Sequence, residues 1–311
     1  MERMVLGASG VQASRVALGA MRMNTKSGEE AAGVVRAALE AGINFFDTAD
    51  CYHDGESSRK LGQALKDVGV ERSQIYVQTK AGIVRNSADE IIRYDFSKEH
   101  LLAALDQELE NLQTEYVDFL LLHRPDTLVD LDGLGEAFDA MQASGKVKHF
   151  GVSNVNPMQV EMLQAAVGQK LEVNQLQFGL GHTSMIQQEF HVNMGDEPSL
   201  DHDGGLISYS RLKGMSIQAW SPFQYGFFEG VFLDNPKFPA LNAKLDELGQ
   251  RYQVAKSAIA VAWILRHPAG FQVLLGSMNP SRIAQMAAGG DVHLTAQEWY
   301  DLYTAAGNDL P

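Results

Sequence analysis

The chain has 311 residues, 45% of them hydrophobic, with a formal net charge of −14 and one cysteine, Cys51. That length and apolar fraction suit one large α/β unit, read here as a single domain over 1–311. The negative charge argues against a nucleic-acid or anionic-membrane partner, no apolar run approaches the roughly 20 residues of a membrane span, and a lone cysteine excludes an internal disulfide and fits a reducing cytoplasm.

Taken in order, "MVLGASGVQASRVALG" reads as an N-terminal hairpin running into a first strand, placed to plug a barrel floor. Gly7 and Gly10 are its turn residues. Eight short β-rich runs follow: Val16–Gly19, Ile43–Phe46, Ile75–Thr79, Val117–Leu122, Val147–Val152, Val173–Leu176, Ser216–Trp220 and Val273–Gly276. Several are almost continuously apolar, as strands covered on both faces are. Helical signals alternate with them. Ser27 and Glu30 form a capping-box signature before Val34, Val35, Ala38 and Leu39. Ser97 is a cap candidate before the stripe of Leu101, Leu102, Leu105, Leu109 and Leu112. Asn156–Pro157, before Val160, Met162 and Leu163, and Asn279–Pro280, before Ile283 and Met286, place an N-cap ahead of a first-turn proline. Thr295 and Glu298 cap a last helix carrying Trp299, Leu302 and Tyr303. Eight strand–helix repeats predict a (β/α)8 TIM barrel with an N-terminal β-hairpin and a C-terminal helix. Two stretches read as long loops, Phe178 to Gly205 after the sixth strand and Ser221 to Pro239 after the seventh, where substrate selection would be built.

Ionisable residues stand just beyond several of these strands: Asp47 and Tyr52 in "INFFDTADCY", Lys80 in "IYVQTK", His123 in "VDFLLLHRPD". Strand ends of a parallel barrel converge on one face. A tyrosine, lysine, aspartate and histidine gathered there can deliver a proton to a carbonyl oxygen, which is half of a reduction. Taken singly, each residue has an ordinary structural explanation: a loop tyrosine, a structural ion pair, a satisfied strand-end histidine. His182, His191 and His202 share one loop but lack tight metal-ligand spacing. Cys51 reads as a small loop filler, and no metal site is expected.

"INFFDTADCY", "VQTK", "LLLHRPD", "GKVKHFGVSN", "EVNQLQF", "QAWSPF" and "LLGSMNPSRI", in this order, resemble the aldo-keto reductase superfamily, and within it bacterial oxidoreductases of the YdhF type. The resemblance runs from about Val16 to the last helix. It implies that Tyr52 is the general acid. Lys80 would lower the phenol's pKa from its usual value near 10, Asp47 would hold Lys80, and His123 would orient the carbonyl. Acid catalysis of this kind contributes about 10²–10⁴-fold. The same resemblance implies a nicotinamide as hydride donor. Ser153, Asn154 and Gln175 would bind its carboxamide, Trp220 would stack on its ring, the following Ser221 would join the cofactor contacts, and Met21 would lie beside it. The N-terminus of the helix at Pro280, with Ser277 and Arg282, would take phosphate. Arginine at the 2′-phosphate position favours NADPH over NADH. Two departures from the family pattern bear on that preference: Gly276 where a lysine is common, and Gln285–Met286 where glutamate and asparagine are. The reading is thus an NADPH-dependent reductase of an aldehyde or ketone, taking a small-molecule carbonyl substrate, with a homo-oligomer left open. The alternative is a nucleotide-binding sensor resembling potassium-channel β subunits. A zinc-dependent barrel hydrolase lacks its ligand set at the strand ends.

Overall fold

Strands buried on both faces must be walled by helices outside and by their own side chains inside, and closure of the sheet satisfies every edge. The computed structural model, which describes residues 1–86 and 90–311, takes this form. Eight parallel strands pair in chain order: Val16–Gly19, Phe45–Asp47, Tyr76–Ala81, Val117–Leu122, Val147–Ser153, Leu171–Gln177, Ser216–Trp220 and Phe271–Leu275. The eighth closes on the first through Val273 opposite Val16. The eight expected runs are these strands, shifted at some ends by one or two residues.

The hairpin Arg3–Val5 and Gln12–Ser14 covers the floor. Leu6, Val11 and Ala13 pack beneath Ala17, Phe45, Phe119, Val173 and Leu274, which form the lowest apolar layer of the lumen. Its turn is tied to two strands. Gly7 N donates to Ser216 Oγ at 2.9 Å, and Ala8 N to the Glu172 carboxylate at 2.6 Å. Gly7 has φ +55°, and any Cβ there would strike Glu172, so both conformation and approach require glycine.

The capping signatures act as read. Ser27 with Glu30, Asn156 with Gln159 and Thr295 with Glu298 form reciprocal capping boxes, and Ser97 and Asn279 accept from the helix N-terminus. Met162, expected to face the core, is exposed. The two long loops carry more structure than their composition suggests. The first contains a helix, Ser184–Phe190, and a 3-10 turn, Glu197–Ser199; the second contains a small antiparallel ribbon, Gln224–Tyr225 with Gly230–Val231. A second ribbon, Ile83–Arg85 with Ile91–Tyr94, rises past the third strand. These elements are too short for hydrophobic periodicity to reveal them.

Above the apolar floor the lumen turns polar. Gln78, Gln175, Gln218 and Gln272 come from four different strands and are all buried. Gln218 exchanges amide hydrogen bonds with Gln78, donates to Gln272 Oε1 at 2.8 Å and accepts from Gln175 Nε2 at 3.1 Å. Gln272 in turn donates to Ser14 O at 2.8 Å. This amide layer is the platform on which the site stands.

Candidate active site

Asp47 ends the second strand and Lys80 lies near the end of the third. His123 follows the fourth, its backbone N–H bonded to Ala81 O. Tyr52 sits in the turn leading to the helix Glu56–Val68. The barrel gathers all four. Lys80 is fully buried, and its ammonium meets three acceptors: Asp47 Oδ2 at 2.8 Å, Thr48 O at 2.7 Å and Tyr52 Oη at 3.4 Å. An ammonium has three donors and no acceptor, so each has a partner. Tyr52 Oη accepts from Lys80, which leaves its own O–H free to be given away. Asp47 Oδ1 accepts from Gln78 at 2.7 Å and from Gln175 at 3.0 Å, so the amide layer fixes the carboxylate from below.

Burial favours neutral Lys80, but the Asp47 charge and Tyr52 outweigh it and hold the ammonium above its usual range. For Tyr52, burial raises the phenol and Lys80 opposes it. Burial wins, so the expectation that Lys80 alone would bring the phenol below its ordinary value is corrected. The proton therefore stays on Tyr52 until a stronger base arrives. The His123 imidazole is held well below its usual pKa, first by burial and then by Lys80, Arg124 and Arg85, and is neutral. Its ring stands edge-on to Tyr52 at 5.7 Å between centroids.

A second cluster lies at the ends of the fifth to seventh strands. Ser153 Oγ donates to Gln175 O, Asn154 Nδ2 donates to Ser153 Oγ, and Trp220 Nε1 donates to Asn154 Oδ1 at 3.3 Å. Asn154 and Ser221 both have positive φ, at 58° and 50°. Gln175 spends its NH2 group on Asp47 and Gln218, so a bound carboxamide would meet only its Oε1. Beyond the eighth strand, Ser277 Oγ accepts from Asn279 N, and Asn279 Oδ1 caps Arg282 N at the start of the helix Pro280–Ala287. The Arg282 side chain is exposed and makes no ion pair among the described residues. Met21 stands exposed at the mouth, its carbonyl accepting from Ser57 Oγ.

A model of the aldo/keto reductase family matches residues 15–305. The chain belongs to the aldo/keto reductase family. A 6-dehydroglucose reductase of Agrobacterium fabrum is 34% identical over 304 residues, covering 95% of each chain. Oxidoreductase YdhF of Escherichia coli is 27% identical over 316 residues, covering 100% of this chain and 99% of its own. A putative voltage-gated potassium channel subunit beta of Schizosaccharomyces pombe is 26% identical, covering 90% and 85%. An aldo/keto reductase from Klebsiella pneumoniae, solved with NADP and acetate, shares the fold with a TM-score of 0.77 at 19% identity, covering 100% and 98%. With the family comes the reaction class: the chain is an oxidoreductase.

This aldo/keto reductase has a cavity of about 390 Å³ beside Asn154 and Trp220, reached also by Arg124, Gln177, His182, His202 and Asp203. Tyr52 does not line it; the space is offset toward the fifth to seventh strands. Two of the three loop histidines thus border a cavity, while His191 is buried against Asp196 at 2.7 Å. Asp50, Cys51 and His123 bring ligand-type atoms within 4.8 Å of one another. Lys80 and Arg85 both act on Cys51 and His123, Arg124 adds to them at His123, and Asp50 acts on Cys51 in the opposite sense. Sequence reasoning missed Gln78, Gln218 and Gln272. The available signal was an amide embedded in each apolar strand, "YVQTK", "SIQAW" and "FQVLL", where burial demands a polar partner. Among the described residues no helix is long and apolar enough to cross a membrane.

Proposed function

We propose that this chain reduces an aldehyde or ketone with NADPH, Tyr52 giving the proton. The observation that carries the reading is the Lys80 ammonium, shared between Asp47 and Tyr52 Oη at the barrel mouth. When bound, NADPH would supply the hydride that the carbonyl carbon takes up. As charge develops on the oxygen, Tyr52 transfers its O–H proton there, and Lys80, already bonded to Oη, stabilises the phenolate left behind. Asp47 keeps Lys80 charged and in place. Neutral His123 orients the carbonyl oxygen by hydrogen bonding.

The residues fit the cofactor. Trp220 offers an indole face, with Phe228 stacked against the indole at 6.0 Å between centroids and 20° between planes. Ser153, Asn154 and Gln175 present amide and hydroxyl groups in one bonded cluster. Arg282 offers an exposed guanidinium beside a capped helix N-terminus, which favours NADPH over NADH. The 34% identity to a 6-dehydroglucose reductase supports a polyhydroxylated, sugar-derived carbonyl as the first substrate class to test, and Arg124, Gln177 and Asp203 at the mixed lining of the cavity offer partners for its hydroxyls.

The test is multiple-turnover oxidation of NADPH, compared with NADH, over sugar-derived, aromatic and aliphatic aldehydes. Tyr52→Phe should lower the rate by at least about 10²-fold while NADPH affinity stays close to wild type. Equal activity in that variant would remove the assigned acid. Tight NADPH binding with no turnover on any carbonyl would favour the regulatory-subunit reading instead.

A further inference from the structure

The reductase reading needs His123 to present an N–H, not a lone pair, to the carbonyl oxygen. A neutral imidazole carries one proton on either nitrogen, and the partner of the other nitrogen decides which. Here that partner is Cys51. Its Sγ lies 3.5 Å from His123 Nδ1, hydrogen-bonding distance for sulfur, and both groups are buried. Burial, then the neighbouring Asp50, push the thiol up to about 12, so it keeps its proton and remains a donor. A thiol can donate or weakly accept, and the Asp50 carboxyl is the other acceptor within its reach; S–H donating to Nδ1 is the arrangement that leaves the ring proton on Nε2. The reverse arrangement, Nδ1–H to sulfur, would leave a lone pair at Nε2 facing the carbonyl oxygen.

We infer that Cys51 is a positioning residue that selects the His123 tautomer, its S–H bonded to Nδ1 so that Nε2 carries the proton offered to the substrate. This rests on the proposed reductase role of His123, but the tautomer is a property of the resting protein. No proton is consumed; the thiol only biases where the ring proton sits. Cys51 packs with Ala49 and Ile83 beside Tyr52, so a smaller side chain there can be accommodated.

The test is long-range ¹H–¹⁵N correlation on protein labelled at histidine nitrogens, with the His123 signals identified by their loss in His123→Asn. Wild type should show a ring protonated at Nε2. Cys51→Ala should populate Nδ1–H and lower kcat/KM for carbonyl reduction roughly 3- to 10-fold, with NADPH affinity unchanged. Cys51→Ser, which keeps a donor, should restore both the Nε2–H signal and most of the rate. A ring protonated at Nδ1 in wild type overturns the inference, and so does an unchanged Nε2–H signal in Cys51→Ala. If the protein turns over no carbonyl at all, the reductase reading fails, yet the nitrogen spectra still decide what Cys51 does. Should Cys51→Ala fail to fold, the wild-type spectrum and Cys51→Ser remain decisive: Nδ1–H in either sinks the idea.

Discussion

At the scale of single residues, the site is governed by which donors are already committed. Lys80 spends all three donors, Asp47 accepts from Lys80, Gln78 and Gln175, and Gln218 joins three other amides. A buried amide without partners costs roughly 1–3 kcal/mol, so the layer stands or falls as a unit. Gln218→Leu removes the shared partner of Gln78, Gln175 and Gln272. It should destabilise the fold by roughly 2–5 kcal/mol and also reduce kcat, because the two amides that hold Asp47 Oδ1 lose their own anchor. Urea unfolding beside steady-state kinetics checks both. A loss within about 0.5 kcal/mol with unchanged kcat would mean the layer neither carries stability nor holds the carboxylate. The four strand-end residues were legible in the sequence because each is ionisable and follows an apolar run. The amide layer was not, since a glutamine inside a strand looks like one facing solvent until closure of the barrel shows what it faces.

Among the elements, the last helix, Ala296–Ala305, shows how an appendage is fastened. Trp263 and Trp299 stack at 5.0 Å and exchange indole-to-carbonyl hydrogen bonds, and Tyr303 continues the stack. At the helix start, Glu298 serves both as capping residue and as partner to the neighbouring helix Pro239–Tyr252. It accepts from Thr295 N, Thr295 Oγ1, Arg251 and Tyr252. Burial works to raise its carboxyl pKa, but these hydrogen bonds, led by the Thr295 backbone, bring it down to about 2. A carboxyl depressed on folding adds stability above its unfolded pKa, here about 4.5, and that stability is lost as pH falls through about 2. Glu298→Gln should therefore cost on the order of 1–3 kcal/mol at neutral pH. The gap to wild type should shrink as both are acidified across that window, as followed by urea titration. A gap independent of pH would assign the loss to packing instead. The caps at Ser27, Ser97, Asn156, Asn279 and Thr295 were readable because a cap is a local pattern. The Glu298 cross-tie to Arg251 and Tyr252 was not, because it joins residues more than forty apart. The short ribbons beyond the third and seventh strands were hidden for another reason: runs of two to four residues carry no usable period.

For the whole molecule, closing eight strands into a barrel concentrates buried ionisable groups at one end, and that concentration sets how stability responds to pH. Asp50 is pushed up to about 8, chiefly by burial and then by Glu108, whose own carboxyl burial also raises. A carboxyl raised on folding favours the folded state when protonated. Its contribution is complete below the unfolded value of about 3.8 and is lost as pH rises through about 8. His123, depressed on folding, works in the opposite sense below its ordinary pKa, so the total curve mixes the two. Comparison with Asp50→Asn isolates the carboxyl, because the histidine is common to both proteins. Relative to wild type, the variant should gain stability steadily between about pH 4 and about pH 8, with a slope of at most about 1.4 kcal/mol per pH unit for a single proton. Urea unfolding of both proteins at about pH 5 and about pH 8 measures it. A constant difference would show that Asp50 titrates alike in the folded and unfolded chains, and that the barrel mouth is wetter than its packing implies. A difference growing in the predicted direction would mean the active-site loop holds an uncharged carboxyl at neutral pH. The Lys80 ammonium would then face one anionic partner, Asp47, rather than two, the arrangement that keeps it available to Tyr52.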